Sequence, residues 1–231
     1  MRAFLFDIGG VLLDFDLAHL VRLAEAGGLK SPDVLLRLRE DDSLRRIESG
    51  LISGPEYFAR HVEPEVPRWR YRDLIEAWKV IFSENSEGLA LVREARARGG
   101  AVYFLSNMAD FNRIAIEERF PGFFGLSDRP FLSCDMGCVK PEPAIYHRVL
   151  QAIGLPAACC FFMDDTPGHV AAARQLGMAG CVYRPGAGAS IRAAWSAWMD
   201  RDTEQPGARG APQEVIDGSG NSLQDAARAG S

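Results

Sequence analysis

Three short runs of unbroken apolar residues punctuate the chain: AFLF at 3–6, AVYFL at 101–105 and CCFFM at 159–163. Each stops at a polar residue beside a turn, which predicts strands. Between and after them the apolar residues recur at helical spacing. SEGLALVREARARGG, ADFNRIAIEERF, EPAIYHRVLQAIG, PGHVAAARQLG and SIRAAWSAWM read as helices, with PFLS and GCVY as further short strands. Lys140-Pro141 is read as opening the EPAIYHRVLQAIG helix. Strands alternating with helices of these lengths predict an α/β fold, with a Rossmann-like parallel sheet and right-handed crossovers.

The first strand, about residues 2–6, stands apart from that series. From Asp16 to about Ser83 the pattern is helical with no alternating strand: DLAHLVRLAEAGG, SPDVLLRLRE, SGPEYFARHV and RYRDLIEAWKVIF, the last with Leu74, Ile75, Trp78 and Ile81 along one side. A stretch of that length is too long for a loop and predicts a helical subdomain inserted over the strand ends. The expected organisation is a core of residues 1–15 and 84–201, an inserted helical cap of residues 16–83, and a tail of residues 202–231. GARGAP and DGSGNS in that tail lack the apolar residues to offset the entropy of ordering, so it is expected to be disordered.

Chemistry is concentrated where strands end. Asp7 follows AFLF and precedes Gly9-Gly10; Ser106-Asn107 follows AVYFL; Asp164-Asp165 follows CCFFM and precedes Thr166-Pro167-Gly168. In an open α/β sheet, ligands bind at the carboxyl ends of the strands, so these residues are expected to converge. Clustered carboxylates repel one another, and a hard cation such as Mg²⁺ relieves the repulsion. Beside such an ion Asp7 is ionised and can attack phosphorus. The Ser106 hydroxyl and backbone N–H groups hold phosphate oxygens, and Lys140 neutralises charge shared by carboxylate and phosphate. The remaining acids hold the metal. Taken singly, each residue has a plainer reading: Ser106 as a helix cap, Lys140 as a surface lysine, Asp7 and Asp164 as turn residues. Those readings would have to hold together, in order and at strand ends.

These segments resemble the haloacid dehalogenase-like hydrolase superfamily. FLFDIGGVLLD is similar to its first motif, with Asp7 at the nucleophile position; FLSN to the second, with Ser106; GCVKPEPAIY to the third, with Lys140; and CFFMDDTPGHVAAARQLGM to the fourth, with Asp164 and Asp165. The resemblance spans about the first 200 residues. It implies a Rossmann-like core, a helical cap that shapes substrate choice, and Mg²⁺ held by Asp7, the Gly9 carbonyl, Asp164 and Asp165. Ser106, Asn107 and Lys140 are implied to bind phosphate. The intact acid pair favours phosphoryl transfer over metal-independent dehalogenation. Phosphatases of the family usually carry Asp two residues after the nucleophile as general acid and base. Here that residue is Gly9, as in some sugar-phosphate phosphatases of the family, which have a second acidic pair like Asp14 and Asp16. The reading is a Mg²⁺-dependent phosphatase acting on a small phosphorylated metabolite, such as a sugar phosphate, through an aspartyl-phosphate on Asp7. The alternatives are a 2-haloacid dehalogenase and a non-catalytic phosphate- or partner-binding module.

Composition bounds the rest. The 231 residues carry a net charge of −5 with no Lys/Arg run, which disfavours a nucleic-acid partner. No apolar stretch approaches the roughly 20 residues of a membrane span, and AFLF is too short for a signal peptide core. Five cysteines fit reduced thiols in a cytoplasmic protein. His169, five residues after Asp164, either organises the acid loop or faces solvent. Arg45 and Arg46 are read as a solvated charged face, and Trp195 and Trp198 as packing the last helix on the core.

Overall fold

Strand β1 (Ala3–Phe6) lies at the centre of the sheet and is buried along its whole length. Its alternation explains why. Ala3 and Leu5 face a cluster with Phe162, Ile145, Tyr146 and Val149, whereas Phe4 and Phe6 meet the edge of Trp195 on the other side. A strand covered on both faces has no polar positions to show, hence the unbroken AFLF. We describe this chain from a computed structural model, which covers residues 1–31 and 42–200. The SPDVLLRLRE segment falls largely outside the described residues, and the expected tail falls wholly outside them.

The sheet order is β5 (Arg129–Leu132), β4 (Ala101–Ser106), β1, β6 (Cys160–Asp164) and β7 (Ala179–Val182). Every neighbouring pair is parallel. The register sets Phe6 beside Phe104 and Met163, so Asp7, Ser106 and Asp164 leave the sheet at one edge. Helices Pro143–Ile153 and Pro167–Gln175 cover one face, and the last helix, Gly188–Asp200, covers the other through Trp195 and Trp198.

Two strands lie where the sequence reading found none. Leu13–Phe15 (β2) and Phe82–Glu84 (β3) pair antiparallel, Leu13 with Glu84 and Phe15 with Phe82. Each has three residues and buries only its first, so no alternation could show. The helical segment departs through β2 and returns through β3. Within it α1 (Leu17–Ala26), capped by Asp16, packs against the helix Tyr71–Ile81 through Leu20, Ala77 and Ile81. Between them lie α2 (Ser43–Glu48) and α3 (Gly54–Tyr57), the latter continuing as a π-helical turn, Phe58–Val62, rather than as the single helix expected. Residues Met1–Trp198 form one compact unit, in which the helical segment is not a separate body.

Candidate active site

Asp7 leaves β1 with its N–H donating to Met163 O at 2.8 Å, which ties it to β6. Its Oδ1 accepts from the Ile8 N–H at 2.7 Å and lies 3.0 Å from Lys140 Nζ. That ammonium also donates to Asp164 Oδ2 at 2.6 Å and to Leu105 O at 3.0 Å. Lys140 is 2% exposed and Asp164 fully buried. A buried ammonium with three oxygen partners is satisfied; without them it would not persist as a charge.

Lys140 does not open a helix. The helix begins at Pro143, and Lys140 lies in the preceding loop. Proline suits a first helical turn, and both Pro141 and Pro143 offered that signal. The loop is held by Asn107, whose side chain donates to Lys140 O at 2.9 Å and accepts the Lys140 N–H at 2.7 Å. The Asn107 amide thus positions the lysine main chain through one donor and one acceptor. Ser106, also buried, directs its hydroxyl locally to Asn107 O at 3.4 Å.

Asp164 is gripped from three sides: by Lys140, by the Thr166 N–H at 2.8 Å, and by His169 Nδ1 at 3.0 Å. An ionised carboxylate only accepts, so Nδ1 carries the proton. His169 is thus the organiser of the acid loop, one of its two readings from sequence. Tyr146 in turn donates its hydroxyl to His169 O at 2.9 Å. Asp165 is half-buried and lies over the Gly10 turn. Gly10 has φ +70°, and a Cβ there would fall 2.5 Å from Asp165 Oδ2. Glycine serves both the left-handed backbone and the close approach.

The electrostatics follow from this packing. Burial raises the Asp7 carboxyl to about 7, against the pull of Lys140 and with a further push from Asp164. Burial also opposes ionisation of Asp164, but Lys140 and the His169 hydrogen bond outweigh it and hold that carboxyl below its usual range. Burial likewise disfavours the Lys140 charge, and Asp7 and Asp164 more than restore it. One donor atom each of Asp7, Asp164 and His169 lies within 4.8 Å of the others. The carboxylates of Asp7 and Asp165 and the main chain of the Gly9 turn are hard oxygen donors, which suit a Mg²⁺-like cation. Asp164, with three hydrogen-bond partners, is suited to a supporting place.

Asp16 caps α1 by accepting the His19 N–H and pairs with Arg22 at 3.5 Å, while Asp14 accepts from Asn85 Nδ2 at 3.1 Å. Arg45 is exposed and pairs with Glu142 at 2.8 Å. One group escaped the sequence reading. Burial pushes the Glu48 carboxyl, on α2, up to about 7, while the charges of Lys140 and His169 draw it back. Nothing in SLRRIESG singles it out, since a Glu at the end of a short amphipathic helix looks like a solvated residue.

Known proteins resemble this chain in sequence and in fold. The chain is 36% identical over 93 residues to sesquiterpene phosphatase astK of Aspergillus oryzae, covering 39% of this chain and 46% of that protein. It is 27% identical over 198 residues to Protein CbbY of Cupriavidus necator, covering 77% and 76%. The chain thus spans less than half the length of the first of these relatives. In structure it is similar to a HAD family enzyme, bt-2542, of Bacteroides thetaiotaomicron, solved in complex with magnesium and inorganic phosphate. The TM-score is 0.72 at 23% identity, over 80% of this chain and 96% of that one. Residues 1–177 match the haloacid dehalogenase-like hydrolase family, with Asp7, Ser106, Lys140 and the Asp164-Asp165 pair all inside the match. The chain therefore belongs to the haloacid dehalogenase-like hydrolases.

Proposed function

We propose that this hydrolase is a Mg²⁺-dependent phosphatase of a small phosphorylated metabolite, such as a sugar phosphate. The observation that carries the reading is the buried Lys140 ammonium, 3.0 Å from Asp7 and 2.6 Å from Asp164, with Asp165 against the Gly10 turn beside it. With a cation held by the carboxylates, such an array accommodates the added negative charge of a phosphoryl group. The phosphatase relative and the magnesium–phosphate complex of the structural neighbour support it.

In this reading Asp7 attacks phosphorus and the bond to the leaving oxygen breaks, giving an aspartyl-phosphate. Ser106 Oγ, the Asn107 backbone N–H and Lys140 Nζ hold the phosphoryl oxygens. The Asn107 side chain serves by fixing the lysine loop. Asp7, the Gly9 carbonyl and Asp165 would hold the cation, with Asp164 in support, and the ion would stabilise charge on the transferring group. Water then hydrolyses the acyl phosphate. The helical segment of residues 16–83 acts as a cap that excludes bulk water. Among the described residues no helix is long and apolar enough to cross a membrane. The five free thiols support a reducing, cytoplasmic setting.

The test is phosphate release from p-nitrophenyl phosphate and a sugar-phosphate panel. With Mg²⁺ the wild type turns over; chelator abolishes release, and Asp7→Asn lowers kcat by about 10³-fold or more. Activity on a 2-haloacid that survives chelator would assign the chain to dehalogenation. Mg²⁺ binding by folded protein without any turnover would make it a binding module.

A further inference from the structure

The reaction needs a proton for the leaving oxygen, and Gly9 has none to give. The helical segment brings the end of α2 against the turn that follows Ser106. Glu48 ends α2, and its main-chain carbonyl accepts the Ser133 hydroxyl at 2.5 Å. The same hydroxyl accepts the Met108 N–H at 2.9 Å, two residues beyond Ser106. One serine thus links the phosphate-binding turn to the end of α2. The next turn seats equally closely: a Cβ on Gly50 would lie 2.1 Å from Cys134 O. On the far side of the lysine loop, Arg45 of α2 donates to Glu142 at 2.9 Å, two residues after Lys140. The helix is therefore pinned to the core on both sides of Lys140. Its last side chain is half-buried there, within the fields of Lys140 and His169.

We propose that Glu48 is the general acid and base of this enzyme, supplied by the helical segment in place of the carboxyl absent at Gly9. The inference rests on the phosphatase reading. As Asp7 forms its bond to phosphorus, the bond from phosphorus to the leaving oxygen breaks and that oxygen takes the Glu48 proton. The resulting carboxylate then accepts a proton from the water that attacks the aspartyl-phosphate. Phosphate leaves, Asp7 is regenerated, and Glu48 is again protonated. A donor is most effective when its pKa lies near the working pH, and burial has raised this carboxyl to about 7. The surrounding charges do not compete for the role. On α2 itself Arg45 is engaged with Glu142, and Arg46 is exposed to solvent. From the elements packed on α2, Asp135 pairs with Arg113 and Glu56 with Arg60. Lys140 and His169 remain, and both act on Glu48 from the core.

The test compares two aryl phosphates of similar shape, p-nitrophenyl phosphate and phenyl phosphate, with Mg²⁺. Nitrophenolate departs without a proton, whereas phenolate, whose acid has a pKa of about 10 like tyrosine, gains from one. The quantity to measure is kcat/KM, which covers the steps through departure of the leaving group. Glu48→Gln is expected to lower it for phenyl phosphate by about 10²-fold or more, and for p-nitrophenyl phosphate by less than about 10-fold. Glu48→Asp should recover part of the loss on phenyl phosphate. Equal losses on both substrates, or none on either, would overturn the assignment while leaving the phosphatase reading intact. A wild type that hydrolyses neither substrate with Mg²⁺ fails the phosphatase reading itself. Because glutamine copies the neutral form of the side chain, the variant is expected to fold, and its melting curve reports that independently.

Discussion

Gly9 lies two residues beyond Asp7, and the space over its Cα is closed by the ring of Phe15. A Cβ there would sit 3.3 Å from Phe15 Cε1, and Phe15 is 40% exposed, so the ring has room to yield. Gly9→Asp should therefore fold, and it would place a second proton donor near the leaving group. In a Glu48→Gln background, Gly9→Asp should raise kcat/KM more for alkyl phosphates and phenyl phosphate than for p-nitrophenyl phosphate; equal changes would count against proton donation from this position. Glu48 makes a separate prediction about stability. Its carboxyl goes from 4.5 when unfolded to about 7 when folded, so the unfolded chain ionises first as pH rises. Below about pH 4.5 the group contributes nothing. Between about 4.5 and 7 the folded state loses stability, and above 7 the loss is constant, at about 1–3 kcal/mol. The Tm of Glu48→Gln should pull ahead of wild type across that window and stay ahead, as thermal melts at stepped pH would show. At this scale the sequence displayed the acids at strand ends, because their positions follow from the apolar runs before them. It did not display Glu48, whose burial depends on α2 meeting Ser133 and Cys134.

Among the elements, those buried on two faces were the easiest to read and are the most sensitive to change. The last helix inserts Trp195, fully buried, against Phe4, with Trp198 5.3 Å from the same ring. Among the described residues the Trp195 Nε1 has no hydrogen-bond partner, so its place is held by shape and burial. Trp195→Ala should cost about 3–5 kcal/mol, whereas Trp195→Phe loses no hydrogen bond and should cost about 1–2 kcal/mol. Chemical denaturation of the two variants gives the comparison. Elements with few buried positions were hidden. Strands β2 and β3 bury one residue each, and the Lys140 loop borrows the prolines of a helix start. The π-helical turn at Phe58–Val62 continues a run with ordinary helical spacing. In each case the decisive interaction lies outside the local sequence.

Across the whole molecule, the proposed chemistry is shared between segments far apart in the chain. Asp7, Ser106, Lys140 and Asp164 belong to the strand ends and following loops of the parallel sheet, and Glu48 to helices that start and finish at one antiparallel pair. Alternation of strands and helices made the sheet predictable, and the length of the interruption is the ground for expecting an inserted helical segment. How closely that segment meets the core was not, since Arg72 with Glu118 and Arg45 with Glu142 are pairs of exposed charges that nothing in the sequence matches up. The pairing of Phe15 with Phe82 has a consequence for ancestry. Strand partners lie about 4.5–5.5 Å apart, a gap that a short turn also bridges. Lengthening a connection between fixed ends costs little, about 0.6 kcal/mol per doubling. An ancestral hairpin at this spot would have accepted helices of almost any number without disturbing the sheet. Exchange of the segment between these two strands would leave Asp7 and its neighbours in place.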